Sequence, residues 1–294
     1  MTTNVVFETD KAKIHRVIDI DPFPLPLNVL FPQGTPAQLS AAAERLPKGH
    51  VDVAAGTIVL AIQSHLVRFA GKNILIDTCV GEHKPRPLRP DWNARTGTRY
   101  LANLGAAGCT PDDIDVVMCT HLHADHLGWN TKLQSGRWVP TFPRARYVMS
   151  QREIDQRARE AAQSRQANHG SYQDSVLPVL DAGLVKTAKA GDEIADGASI
   201  IDLAGHAPGQ IGLELSVAGS HIIFCGDAIH NPVQVLYPDW FSAFCFDAAQ
   251  AVQTRRMLLR RGASEDLRIV PGHLRGRSMR VAEKNGDFVP FIEA

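Results

Sequence analysis

Residues 114–126 read Ile-Asp-Val-Val-Met-Cys-Thr-His-Leu-His-Ala-Asp-His. The apolar run over 114–119 predicts a buried strand. It leads directly into four metal-ligating side chains within six residues: His121, His123, Asp125 and His126. In an extended segment alternate side chains share a face, so His121 and His123 can point at one metal. The turn over 124–126 lets Asp125 and His126 face a second position. Imidazole and carboxylate suit zinc and similar borderline metals. No Cys stands at ligand spacing, which argues against a closed structural site.

The same pattern recurs further along the chain. A strand over 199–202 is followed by His206 in Gly205-His206-Ala207-Pro208-Gly209. A strand over 221–225 is followed by Gly226-Asp227, and one over 268–270 by Pro271-Gly272-His273. With the first cluster this makes seven nitrogen or oxygen donors, each at the carboxyl end of a strand. Further strands are expected over 56–62, 65–69 and 73–77, with a turn at Gly71-Lys72, and over 146–149. Helices are expected over 99–107, 151–166 and 246–262, the last with Asp247 as N-cap and Gly262 as C-cap. The charged 151–166 helix reads as a solvated face, or alternatively as a cover over a site. Five prolines over 21–36 read as an extended apolar arm. Strands ending in His- or Asp-bearing loops in both halves predict an α/β (α+β) fold. Two stacked sheets are covered by helices, with ligands at one rim. A doubly wound parallel sheet would need a helix after nearly every strand.

The chain has 294 residues, 31 Lys+Arg against 31 Asp+Glu, 44% hydrophobic and 21% charged residues. The zero net charge excludes the basic excess typical of nucleic-acid binders. No apolar run approaches the roughly 18 residues of a membrane helix. The N-terminus shows no secretory pattern, so a cytoplasmic location is expected. Five Cys read as free core thiols rather than a disulfide framework.

THLHADH at 120–126, GHAPG at 205–209, GD at 226–227 and PGH at 271–273 together resemble the metallo-β-lactamase superfamily. Asp77, in ILIDT, resembles its first motif. The resemblance covers about residues 55–275 and implies a four-layer αββα sandwich of two mixed sheets, with a two-metal site at the sheet edge. By that resemblance His121, His123 and His206 hold one divalent ion. Asp125, His126 and His273 hold the other, and Asp227 bridges them. Asp77 supports the ligands from behind, and His230 is placed beside them. Zinc is the metal expected, with iron, manganese or cobalt as alternatives. Gly128-Trp129-Asn130 and Gly226-Asp227-Ala228-Ile229-His230 are similar to the lactonase and methyl parathion hydrolase-like branch. Gln210 departs from the second histidine that many members carry in the third motif.

The implied chemistry is hydrolysis by a hydroxide shared between two ions about 3.5–4 Å apart, with Asp125 or Asp227 accepting or relaying the proton. Lactones and carboxylic or aryl esters are the expected substrates, with phosphotriesters a further possibility. A glyoxalase-type thioester hydrolase and a non-heme-iron sulfur dioxygenase on the same fold are the alternatives. Trp129, Tyr237, Trp240 and Phe241 are candidate pocket residues, set against ordinary core packing. Residues 1–50 are expected to form an arm packed on a single hydrolase domain over 51–294. The arm also suggests a homodimer. No nucleic-acid or membrane partner is expected.

Overall fold

The computed structural model describes residues 4–293. The described residues divide into two compact units, 4–19 with 62–189, and 20–61 with 190–293. Two large mixed sheets and several helices form them, which is the α/β class expected.

The larger sheet has the order Val5–Glu8, Ala12–Pro26, Thr57–Phe69, Lys72–Ile76, Val116–Met118, Arg146–Ser150, Val185–Ala188, with Val51–Asp52 paired on Thr57–Phe69. The turn joining the antiparallel pair Thr57–Phe69 and Lys72–Ile76 is Ala70-Gly71, both left-handed, one residue before the expected Gly71-Lys72, and the two strands expected over 56–62 and 65–69 are one. From Lys72–Ile76 onward the neighbours run parallel. Parallel strands buried on both faces need near-continuous apolar sequence, and Ile74, Leu75, Ile76, Val117, Met118, Tyr147 and Met149 are all buried. Ile76 pairs with Met118, so the segments that leave these strands start side by side. The Asp77 N–H donates to the Met118 carbonyl at 2.8 Å. Beyond the strands the chain stays in contact backbone to backbone. Gly128 N–H donates to Cys79 O and Trp129 N–H to Thr78 O. A Cβ on Gly128 would lie 1.9 Å from the Val80 carbonyl oxygen, so only glycine fits.

The second sheet has the order Glu193–Ala195, Ala198–Asp202, Ile211–Val217, Ser220–Gly226, Arg268–Pro271, Ser278–Lys284, Asp287–Glu293. Its one parallel pair joins Ser220–Gly226 to Arg268–Pro271. That register sets the loop carrying Asp227 beside the loop carrying His273, and Gly272 N–H donates to Gly226 O at 3.1 Å. The helix Ala248–Ser264 packs on this sheet through Leu258 and Leu259, against Ile223, Ile269, Met279 and Val281. Asp247 caps it by accepting the Gln250 N–H at 2.9 Å, as expected.

Three expectations are corrected. Gly262 is no C-cap; it lies inside the helix, where a Cβ would stand 3.0 Å from Ile269 and 3.5 Å from Val281. The proline-rich 21–36 stretch is extended only to Pro26. It continues into the short helix Leu27–Leu30 and ends at Thr35, which caps the helix Pro36–Arg45. Proline is at home at a first helical position, where its missing N–H has no partner to lose. The charged helix Gln151–Gln163 is not simply solvated, because Glu153, Ile154 and Arg157 are buried.

Gly205 sits at φ +138°, and a Cβ there would lie 2.4 Å from the Ala251 backbone nitrogen at the start of the long helix. Gly205→Ala is expected to destabilise by more than about 3 kcal/mol, from combined backbone strain and overpacking. Asp247→Ala removes only a cap, and its expected cost is about 1 kcal/mol. Urea denaturation of the two variants checks the contrast; equal costs would show that the Gly205 approach is not close.

Candidate metal centre

The first unit carries a cluster built around the 119–127 loop. Asp77, just past the end of its strand, accepts three hydrogen bonds across the parallel register. Thr120 N–H lies 2.7 Å from Oδ1, Thr120 Oγ1 2.9 Å from Oδ2, and His126 Nδ1 2.9 Å from Oδ2. Asp77 adopts φ +58°, a left-handed conformation uncommon for a residue with a side chain. Its carboxylate fixes the His126 ring with Nδ1–H pointing inward, so Nε2 carries the lone pair when the ring is neutral. That nitrogen faces the Asp125 carboxylate at 3.9 Å. Thr120 Oγ1 meets His121 Nδ1 at 3.1 Å, and His121 Nε2 meets His123 Nδ1 at 3.0 Å. His121 and His126 are buried, with ring centroids 4.1 Å apart. The structure brings His121, His123, Asp125 and His126 together with Asp77 in one cluster.

The second unit carries a cluster centred on Asp227. His206 Nε2 lies 3.4 Å and His230 Nε2 3.2 Å from Oδ2, and His273 Nε2 lies 3.3 Å from Oδ1. All four residues are buried. The donor atoms of His206, Asp227 and His230 lie within 4.8 Å of one another, a spacing that could hold an ion. His273 Nδ1–H donates to the Ala61 carbonyl at 2.8 Å, which again leaves Nε2 as the lone-pair nitrogen. His206 Nδ1 is 3.6 Å from Cys245 Sγ. The loop geometry follows from the helix beside it. Asp247 N–H donates to Gly205 O, and Phe246 N–H to His206 O. Buried Arg255 donates to the carbonyls of Ala228, Pro238 and Trp240. Asn231 Nδ2 ties the next turn to His50 O and Val59 O.

Both clusters present the same electrostatic situation. An imidazole is held by Nδ1–H donation, and its Nε2 lone pair faces a carboxylate. A neutral imidazole and a carboxylate facing each other repel unless a proton or a metal cation lies between them, and a divalent metal can satisfy both. The donor set contains nitrogen and oxygen only. Cys79, Cys119 and Cys225 are buried free thiols whose pKa values burial pushes up. They fit the reading of free core thiols.

The aromatic candidates fall into packed positions. Trp129 is buried and stacked on Tyr100 at 5.4 Å. Trp240 is buried between Phe31 at 5.8 Å and Tyr237 at 4.6 Å. Tyr237 donates its hydroxyl to Gln38 O, and Phe241 is half-buried. The exposed aromatics of this stretch are Phe244 and Phe246. Gln210, the departure in the third motif, is buried and donates to the Cys225 carbonyl at 3.2 Å. Two residues absent from the motif reading also reach the metal loop. Glu153 Oε2 accepts the Leu122 N–H at 3.1 Å, and the Asn168 amide contacts Leu122 and Ala124.

Comparison with known proteins agrees with these motifs. The family model described as the metallo-beta-lactamase superfamily matches residues 57–273. No curated protein sequence matches the chain. Among solved structures, AidC, a dizinc quorum-quenching lactonase in complex with a product N-hexnoyl-L-homoserine, superposes with a TM-score of 0.79 at 22% identity. That match covers 98% of this chain and 96% of AidC. The hydrolase AbOPH of the beta lactamase superfamily gives 0.77 at 23% identity, covering 100% and 98%. A probable metal-dependent hydrolase from Staphylococcus aureus gives 0.77 at 18% identity, covering 98% and 99%. At these identities the likeness is one of fold, while the family model spans most of the chain. The chain belongs to the metallo-beta-lactamase superfamily.

Proposed function

We propose that the chain is a dinuclear metal-dependent hydrolase of lactones and of carboxylic or aryl esters. Its ions are held by His121, His123 and His206 and by Asp125, His126 and His273, with Asp227 shared. The observation that carries this reading is the pair of oriented imidazoles, His126 fixed by Asp77 and His273 fixed by the Ala61 carbonyl, each with Nε2 facing a carboxylate. Bound zinc would supply a water that is nucleophilic near neutral pH and an electrophile for the substrate oxygen.

The protein's own groups do the rest. Asp77, Thr120 and the Ala61 carbonyl set the ring orientations, so the ligand geometry exists before substrate arrives. Asp125 and Asp227 are the carboxylates placed to take the proton released on attack. His230, whose Nε2 already contacts Asp227, is placed to hand a proton on. Hydrolysis adds water across the acyl C–O bond, giving a carboxylate and an alcohol. No serine or cysteine nucleophile is required. The zero net charge fits a small neutral substrate better than a polyanion, and the exposed Phe244 and Phe246 offer an apolar surface in the loop that follows Trp240. Five-membered lactones, including the N-acyl homoserine lactones suggested by the structural neighbours, are the first substrates to try.

Purified protein is expected to carry about two zinc equivalents and to open lactones and cleave aryl esters, and chelation followed by zinc return should abolish and restore both. Unchanged turnover by metal-free protein would overturn the hydrolase reading, as would stoichiometric iron with oxygen uptake. Phosphotriesters and β-lactams in the same assay separate the neighbouring chemistries. Asp227→Asn and His126→Ala are expected to lose metal and hydrolysis together. Asp77→Asn touches no ion and is expected to keep the fold while weakening metal binding about 10–100-fold. Isothermal titration with zinc checks it.

A further inference from the structure

The loop that carries four of the seven ligands has no sheet ladder of its own beyond Met118. Its backbone groups must find partners elsewhere. Around His123 one side chain supplies two of them. Asn168 Nδ2 donates to the Leu122 carbonyl at 2.6 Å, and Asn168 Oδ1 accepts the Ala124 N–H at 3.2 Å. A carbonyl and an N–H on either side of one residue are what a neighbouring strand's peptide would engage. The asparagine amide takes that strand's place. Glu153 Oε2 engages the remaining Leu122 group, its N–H.

Asn168 lies in the short 3-10 segment Ala167–Gly170, whose geometry is broken at Asn168 and His169. It adopts φ +47°, ψ +41°, a left-handed conformation that asparagine tolerates better than other residues with a side chain. Its Nδ2 also reaches Ser171 Oγ at 2.7 Å. The carbonyl of the next residue, His169, accepts from Arg86 Nη1 at 2.9 Å. Arg86 is fully buried and forms a two-pronged pair with Asp174 at 2.6 and 2.9 Å. Asp174 lies in the π turn Tyr172–Val176, an irregularity common at functional sites. Its carbonyl accepts from Thr131 Oγ1 and from Lys84 Nζ, which is buried over the Trp138 ring. A buried ion pair contributes little net stability but fixes geometry in some proteins. Here its place is one residue from the clamp on the metal loop.

We propose that Asn168 is a positioning residue for the metal centre, holding the backbone on both sides of His123 so that its imidazole is set before an ion binds, with the buried Arg86–Asp174 pair anchoring the segment that carries it. The metal part of this inference rests on the hydrolase reading above; the clamp itself does not.

Asn168→Gly removes the amide while permitting the left-handed backbone, and Asn168→Asp keeps the acceptor for Ala124 N–H but loses the donor to Leu122 O. Hydrogen exchange of the metal-free proteins and zinc titration with a competing chelator give two independent readings. In Asn168→Gly, exchange of the peptide spanning 119–127 is expected to accelerate about five- to tenfold, as losing a hydrogen bond of about 1 kcal/mol implies. Peptides from the second unit should be unchanged. One of the two zinc equivalents should weaken about 10–100-fold while the other stays within twofold. Asn168→Asp should fall between this variant and the wild type, and it carries the test if the glycine variant does not fold. Unchanged exchange over 119–127, or both zinc equivalents within twofold of wild type, overturns the proposal. Wild-type protein that takes up no zinc sinks the hydrolase reading, and the exchange measurement then decides the clamp alone.

Discussion

The carboxylate of Asp77 is the contact on which the first cluster depends. It accepts the Thr120 N–H, the Thr120 hydroxyl and the His126 ring at once. A carboxylate with three donors is satisfied in a buried place where an unpaired one would be costly. The contact is possible because two parallel strands end in register, Ile76 against Met118. A one-residue slip would turn Asp77 to the opposite face and leave His126 without its orienting partner. The left-handed turn at Asp77 is the strain that this arrangement tolerates. Sheet register, a strained turn and the choice of imidazole tautomer are thus one chain of causes.

The second unit reaches a comparable result by different means. The orienting acceptor for His273 is a backbone carbonyl, that of Ala61, rather than a carboxylate. The parallel pair Ser220–Gly226 and Arg268–Pro271 brings Asp227 and His273 together. Three imidazole nitrogens then converge on one carboxylate at 3.2–3.4 Å. One carboxylate can meet three imidazoles because it offers two oxygens, and the contacts divide between them. Gly205 contributes by its missing Cβ, since the backbone of the long helix fills the space a side chain would need. Arg255 fixes the same region from the helix side, with three carbonyls on one guanidinium.

Much of this was legible in the sequence because the signals are dense and local. Four His and Asp side chains in six residues after an apolar strand leave few other readings, and the strand ends before His206, Asp227 and His273 follow the same rule. What escaped depends on partners far away in the chain. Asn168 lies just past the helix expected over 151–166, in Ala167-Asn168-His169-Gly170, where no motif marks it. Its role appears only when residue 122 is beside it. Glu153 reads as one charge on a solvated helix, and only the fold buries it. The helix Pro36–Arg45 was hidden by the prolines before it, although Thr35, Pro36 and Gln38 make a standard N-terminal cap. Gly262 looked like a stop signal because nothing in the sequence shows Ile269 and Val281 closing on it.

The aromatic residues show where motif reasoning meets its physical limit. Burial favours large apolar rings wherever space allows, so an aromatic-rich loop beside a ligand predicts a pocket and a core equally well. Trp129 stacks on Tyr100, whose hydroxyl lies 2.7 Å from Ser64, and Trp240 fills the space between Phe31 and Tyr237. Their rings are used in packing, and substitution there acts on stability before it acts on substrate choice. Phe31 also meets the His230 ring edge to face, with centroids 6.1 Å apart. The packing around Trp240 therefore passes through Phe31 to His230, which contacts Asp227. In this unit the apolar core and the ligand cluster are not separate compartments, and the rigidity of the first contributes to the geometry of the second. Side-chain substitution at exposed Phe244 and Phe246 is then expected to disturb this packing less than substitution at Trp240, since the Phe246 contact to the His206 carbonyl is made by its backbone N–H.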